Sequence, residues 1–238
     1  KYVFKTLHIE KLSDKEAINI IRKDEIDIII DLNGFSGIHR LNLFKNRLAP
    51  IQILWCGYTN TTGLDEMDYL IADKNSIHEN EKNLYNENII YLKDIWSCHS
   101  GFPLKREFID APMNKNNFIT FGSFNNFRKI NDNVVKVWSS ILKEVPNSKL
   151  ILKSSDTASS SLIAEKFNQS GVLNAVEFHP YIKNLGHLND YKKIDIGLDP
   201  FPYNGVTTSF ESIWMCVPVL TIKGYNFMSR GGESINKN

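Results

Sequence analysis

The sequence predicts an α/β chain made of two Rossmann-like domains that face one another, each a parallel sheet covered by helices. Three observations predict this. Short β-branched runs recur, of which Ile26–Ile30 is the plainest, as expected of strands in a parallel sheet. Amphipathic, helix-like segments lie between them. An irregular stretch with two prolines and mixed charge, Gly101–Asn117, separates two such series and places the domain boundary at 112/113.

In the first series, Tyr2–Ile9 reads as a strand. Ser13–Lys23 reads as a helix, with Ser13 as its cap and Glu16 three residues on. Ile26–Ile30 reads as a strand buried on both faces, broken at Asn33-Gly34. Pro50–Trp55, Asp68–Ala72 and Asn88–Leu92 read as further strands. In the second series, Phe118–Phe124 is a strand. Asn131–Glu144 is a helix that buries Val134, Val135, Val137, Trp138, Ile141 and Leu142. Lys149–Lys153, Val176–Phe178, Asp195–Asp199 and Val219–Ile222 are strands, and Ser159–Gln169, Leu188–Lys193 and Thr207–Met215 are helices. In folds of this kind ligands sit beyond the carboxyl ends of the strands, so the loops there are expected to carry function.

Composition narrows the class. With 238 residues, 42% hydrophobic and 23% charged, the chain has the profile of a soluble globular protein large enough for two ordinary domains. Its net charge of +1 gives no bulk electrostatic case for nucleic acid or a membrane surface, and neither is expected as a partner. The first 112 residues lean acidic and the remainder basic, which suits an anionic ligand in the second half. No apolar run approaches the roughly 20 residues that span a bilayer. Cys56, Cys98 and Cys216 are odd in number and fit neither a zinc site nor a disulfide framework, which points to a reducing, cytoplasmic compartment. The chain begins inside structured-looking sequence and ends in a segment that looks unfinished, so it reads as part of a longer protein.

The most informative segment is Asp195–Pro218 (DIGLDPFPYNGVTTSFESIWMCVP). A strand ends, a loop passes through Asn204-Gly205, and Thr207-Thr208 open a helix. The first-turn N–H groups of a helix lack partners and carry partial positive charge, so they can bind a diphosphate. Gly205 permits close backbone approach. Glu211, placed on the exposed end of the helix, can accept hydrogen bonds from ribose hydroxyls. The plainer alternative is that Thr207 is an N-cap and Glu211 a first-turn acid. A second segment, Ile119–Asn131, ends a strand at Asn125-Asn126 and sets Lys129 where it can neutralise a phosphate, although Arg128 and Lys129 can equally be surface cations. His187, in a loop-to-helix region, is either a surface residue or part of a site. The loop Gly57–Gly63, which contains Tyr58, can close over a ligand or serve as an ordinary connection.

These segments resemble the catalytic region of the O-GlcNAc transferase family, and most of all its SPINDLY-like branch. The resemblance rests on Asp31–Gly37 (DLNGFSG), Ala49–Gly63 (APIQILWCGYTNTTG), Met67–Asp73 (MDYLIAD), Ile119–Ile130 and Asp195–Pro218, in matching order. It implies a GT-B glycosyltransferase architecture. Residues 1–112 would be part of the acceptor-side lobe, and residues 113–238 a donor lobe truncated at its end. It implies that Lys129 and Asn126 contact the donor diphosphate, that His187 stacks near the base, and that Thr207-Thr208 bind the diphosphate. Glu211 would hold the ribose, and Gly57 and Tyr58 would lie on the sugar side. Asn204 and Gly205 belong to the same donor loop.

The sequence also departs from the family pattern. Val206 stands where the O-GlcNAc transferases proper have a histidine. Asn184, beside Lys183, stands near a lysine position, and Cys216 replaces a glycine. The Phe201-Pro202-Tyr203 run is SPINDLY-like. The implied reaction is inverting transfer of a sugar, GlcNAc from UDP-GlcNAc, to a Ser or Thr of an acceptor protein or peptide. GDP-fucose is the alternative donor, and a nucleotide-sugar epimerase or a non-catalytic binding module are alternative functions. No Asp-X-Asp pair is present, so Lys129 and the helix start are expected to act without a metal or other cofactor. The resemblance also implies tetratricopeptide repeats in the full-length protein.

Overall fold

The computed structural model describes residues 3–103, 110–154, 156–180, 182 and 184–238. The chain divides into two compact units, Lys1–Ser97 and Cys98–Asn238. Residues 104–109, within the stretch where the sequence places the domain boundary, lie outside the described residues.

The first unit opens with helix α1, Asp14–Lys23, started by the expected capping box: Ser13 Oγ accepts from the Glu16 N–H, and the Glu16 carboxylate accepts from the Ser13 N–H at 2.9 Å. Four parallel strands follow, β1 (Ile28–Asp31), β2 (Ile51–Leu54), β3 (Tyr69–Ala72) and β4 (Asn88–Tyr91), paired in the order β1-β2-β3-β4. Under them Gln52, fully buried, accepts from the Leu48 N–H and donates to the carbonyls of Phe44 and Glu66, so its amide is satisfied without water.

Two expectations for this unit fail. Residues 3–9 form no strand: Val3 and Phe4 face solvent, and among the described residues no strand is hydrogen-bonded on the outer side of β1. Nor is β1 buried on both faces: Ile28 and Ile30, two residues apart, share a face that is left open. The strand is the edge of its sheet, with Ile28 and Ile30 exposed by 52% and 43%. A β-branched run has the same pattern at the edge of a sheet as at its centre.

The second unit is a five-stranded parallel sheet of β5 (Thr120–Ser123), β6 (Lys149–Ser154), β7 (Val176–Pro180), β8 (Ile196–Leu198) and β9 (Val219–Leu220), in the order β7-β6-β5-β8-β9. The chain starts at the central strand, winds outward to β7, and returns to the other side of β5 with β8. This is the doubly wound order, with its switch point between β5 and β8. Its helices are the short α2 (Met113–Asn116), α3 (Asp132–Glu144), α4 (Thr157–Gln169), α5 (Thr207–Trp214) and α6 (Gly231–Lys237). Asn131 caps α3 through the Val134 N–H, and Asp156 caps α4 through the Ser159 N–H.

Side chains on successive residues of β6 point to opposite faces, and both faces are covered. Leu150 and Leu152 join Phe121, Val134, Trp138, Ile163 and Phe167 on the α3–α4 side. Ile151 packs on the other side with Leu188, Tyr191, Ile194 and Val217. Val137 departs from the expectation. It is 37% exposed, because at 3.6 residues per turn it falls beyond the edge of the stripe centred on Val134 and Trp138. The expected helix at Leu188–Lys193 is instead a 3₁₀ segment, Asn184–Lys193. Phe167 is fully buried in the main cluster. Truncation to alanine should cost about 3–5 kcal/mol, read as a lower urea midpoint with an unchanged slope.

Candidate functional site

The switch point of the second unit brings together two loops that lie far apart in the sequence. One leaves β5 through Phe124, Asn125 and Asn126 into a short 3₁₀ turn, Phe127–Lys129. The other leaves β8 at Asp199 and runs through Asn204-Gly205 to the start of α5.

The start of α5 is not closed by a side chain. Val206 occupies the cap position and makes no capping hydrogen bond, so the reading of Thr207 as an ordinary N-cap does not hold. Thr207 and Thr208 are the first two helical residues. The Thr208 hydroxyl donates to Asn125 Oδ1 at 2.9 Å, which joins the two loops directly. A Cβ on Gly205 would lie 2.4 Å from Thr208 Oγ1 and 2.7 Å from Asn125 Oδ1, so this joint requires glycine.

Lys129 reaches across to the second loop. Its ammonium donates to the Asn204 carbonyl at 2.8 Å and lies 4.0 Å from the centre of the Tyr203 ring. Burial pulls its pKa below the ordinary lysine value, and the charge of Asp199 pulls the other way. Asp199 is itself buried. It accepts from the Gly205 N–H at 2.6 Å and from the Thr221 hydroxyl at 2.8 Å. Burial dominates those bonds and pushes its pKa up to about 6.

On the same face of α5 as Thr207-Thr208, Glu211 is buried rather than exposed as the sequence suggested. Helical spacing places it one turn after Thr207-Thr208, where α5 packs on the Asn184–Lys193 segment. His187 Nε2 lies 2.9 Å from one carboxylate oxygen, and the Tyr191 hydroxyl donates to the other at 2.8 Å. Next to this group Lys153, at the end of β6, forms a buried ion pair with Asp190 at 2.8 Å and reaches the His187 carbonyl.

Of the residues singled out from sequence, Lys129, Gly205, Thr207, Thr208, Glu211 and His187 therefore gather at one end of one sheet. Two others differ in detail. The Asn126 side chain faces solvent and caps its own turn by accepting from the Arg128 N–H at 2.9 Å, so Asn125 is the asparagine that meets Thr208. The Asn204 side chain turns inward: it donates to the Pro200 carbonyl and accepts from the Gly232 N–H, leaving its carbonyl to Lys129. Lys183 lies outside the described residues, and Asn184 opens the 3₁₀ segment. Cys216 has φ of +62° just past α5, the left-handed conformation that favours glycine.

Gly57 and Tyr58 belong to the first unit. A Cβ on Gly57 would lie 1.8 Å from the Leu32 carbonyl oxygen, so the loops after β1 and β2 interlock there. The Tyr58 ring meets Phe35 edge-on at 5.4 Å. The far end of the loop is tied down: the Thr61 hydroxyl and Thr62 N–H both donate to the buried Glu87 carboxylate at 2.7 Å.

Asn125, Asp199 and Tyr191 were missed as site residues. Asp199 had one legible signal, an acid at the last position of a strand, pointing into the crevice where such folds bind ligands. Among the described residues no group of three or more His, Cys, Asp and Glu side chains is placed to hold a metal.

The doubly wound sheet with a basic, glycine-containing switch point defines the class, the fold of the GT-B glycosyltransferases. Solved structures of low identity share it, including Anabaena HepE in complex with UDP and glucose (TM-score 0.56, 10% identity, 93% of this chain and 65% of that one). The chain belongs to glycosyl transferase family 41, which matches residues 7–100 and 110–236. It is 37% identical over 232 residues to the SPINDLY protein of Solanum lycopersicum, named as a probable UDP-N-acetylglucosamine–peptide N-acetylglucosaminyltransferase, over 95% of this chain and 25% of that protein. It is 28% identical over 226 residues to the SEC protein of Arabidopsis thaliana, which carries the same enzyme name, over 91% of this chain and 23% of that protein. Among solved structures it is similar to a K341M mutant of the Thermobaculum terrenum O-GlcNAc transferase, with a TM-score of 0.87 and 33% identity over 94% of this chain and 43% of that one. The chain thus spans about a quarter of the length of the curated relatives it matches.

The Asp199 geometry fixes a pH dependence. Its native pKa of about 6 lies above the ordinary carboxylate value, so the native state holds a proton that the unfolded chain has released. Its contribution to stability is full below about pH 4 and is lost as pH rises through about 6. Between pH 4 and 7 the stability of Asp199→Asn relative to the wild type should therefore shift in favour of the variant by about 2–3 kcal/mol. Denaturant unfolding of both chains at the two pH values checks this.

Proposed function

We propose that the second unit is the donor-binding half of an inverting protein O-glycosyltransferase, and that the first reading of its donor is UDP-GlcNAc. The observation that carries the proposal is the group at the switch point: an uncapped helix start at Thr207-Thr208, joined through Asn125 to the loop bearing Lys129. The N–H groups of Thr207 and Thr208, the Thr207 hydroxyl and one ammonium suit a diphosphate. Glu211 and His187 stand one helical turn further on, at a spacing that suits the ribose and base.

In the proposed reaction a Ser or Thr hydroxyl of the acceptor protein attacks the anomeric carbon as the nucleoside diphosphate leaves. Positive charge builds on the sugar ring, and negative charge builds on the departing phosphate. Lys129 and the start of α5 stabilise that negative charge with donors already in place, the role a divalent cation plays in other transferases. The burial that lowers the pKa of Lys129 also strengthens its field at a nearby phosphate. Acceptor binding is assigned to parts of the longer protein together with the first unit. A reducing, cytoplasmic setting fits Cys56, Cys98 and Cys216, none of which is in a disulfide among the described residues.

GDP-fucose is the second donor reading. It is favoured by Val206, which stands at the cap of α5 where the resemblance places a histidine in the O-GlcNAc transferases proper. Calorimetric titration of the chain with UDP, GDP, UDP-GlcNAc and GDP-fucose separates the two. Tighter binding of the uridine pair supports the first, and preference for the guanosine pair replaces it with the second. A chain that binds none of the four has no donor site of this kind. For the full-length protein, Lys129→Ala should lower turnover about 10²–10³-fold while moving the thermal midpoint only slightly. Turnover within a factor of two of the wild type would remove Lys129 from the reaction.

A further inference from the structure

Tyr191 is buried against the start of α5, with its hydroxyl on Thr208 and Glu211. Its ring does what any core aromatic does, packing edge-on against Phe124 at 4.7 Å and joining Ile194 and Leu188 in the second apolar cluster. Phenylalanine would fill that volume equally well. The hydroxyl is what needs explaining. It lies 2.8 Å from Glu211 Oε2 and 3.1 Å from the Thr208 carbonyl, so its single proton is directed at the carboxylate. His187, four residues earlier on the same 3₁₀ segment, meets the other oxygen at 2.9 Å. Two side chains of one segment thus grip one buried carboxylate of the facing helix.

We propose that Tyr191 is a positioning residue of the nucleotide subsite, holding the Glu211 carboxylate in the one orientation that presents its remaining lone pairs to the ribose hydroxyls. This rests on the donor-site reading above. A carboxylate offers about four acceptor positions, and two protein donors leave the others for a ligand. Without the Tyr191 donor, Glu211 would turn about its side-chain torsions, and the binding energy of a ribose hydroxyl would be spent on re-ordering it. Burial and the adjacent Glu211 charge push the Tyr191 hydroxyl well above its ordinary pKa, so it stays a donor throughout the working pH range. The same residue touches both sides of the switch point, with its ring on Phe124 at the end of β5 and its hydroxyl on the first turn of α5.

The test is ribose discrimination. The Kd of the preferred nucleoside diphosphate, UDP or GDP, is measured by calorimetry beside that of its 2′-deoxy counterpart, for the wild type, Tyr191→Phe, Glu211→Gln and the double variant. The wild type should favour the ribonucleotide, and Tyr191→Phe should reduce that ratio about three- to tenfold, the size of one hydrogen bond. Binding of the deoxynucleotide should be little changed. In the Glu211→Gln background the tyrosine substitution should have no further effect on the ratio. A ratio unchanged by Tyr191→Phe overturns the proposal, and so does a ratio unchanged by Glu211→Gln, a measurement that does not depend on the tyrosine variant folding. A wild type that binds the nucleoside diphosphate without discriminating ribose overturns the role of Glu211 and this proposal while leaving the donor site standing. A wild type that binds neither nucleotide overturns both.

Discussion

A carboxylate withdrawn from water must be met by donors or give up its charge, and the second unit is arranged around one such group. Asp199 stands at the end of β8 and is 3% exposed. One oxygen takes the N–H of Gly205 and the other takes the hydroxyl of Thr221 beyond β9. The first bond fixes the course of the loop into α5, and with it the positions of Asn204, Gly205 and Thr208. The second ties that loop to the neighbouring strand. Lys129 completes the arrangement from the other side of the switch point, where it reaches the Asn204 carbonyl within the field of Asp199. Removing the acid would leave two donors without acceptors and the half-buried ammonium of Lys129 without a nearby negative charge.

The residues that define the site fall into two halves with different roles. Lys129, Asn125 and Thr208 join the two loops and surround the uncapped helix start. Glu211, His187 and Tyr191 form a hydrogen-bonded group one turn further along α5, with Lys153 and Asp190 behind them. Helix α5 belongs to both. Its first turn serves one half and its second turn the other, so a small rotation of this one helix would disturb both.

Much of this was legible in the sequence. The β-branched runs of the second series located β5, β6, β7, β8 and β9 to within about two residues, because alternation between strands and amphipathic helices is a local signal. The basic loop and the helix start were legible for the same reason: Lys129, Thr207 and Thr208 lie where a strand gives way to a helix. What was not legible depends on partners distant in the chain. The pattern of Ile28 and Ile30 does not reveal that β1 is an edge strand. Tyr191 reads as one more aromatic in a helical pattern until the fold sets it against Glu211. Nothing local to two adjacent asparagines tells that Asn125 faces Thr208 while Asn126 caps its own turn.

The strand order carries a consequence for how the molecule is made. Because the chain begins the second sheet at its centre, the two loops that meet at the switch point are separated by most of that unit. The Lys129–Asn204 bond spans 75 residues and the Thr208–Asn125 bond spans 83. Neither can form until β8 has docked beside β5, so contacts of this range are paid for late, after the local helices and the β5-β6-β7 half have closed. During synthesis neither bond can therefore form until the chain through α5 has left the ribosome. A ligand that bridges the two loops acts on that last step, binding only the finished sheet and drawing the equilibrium toward it.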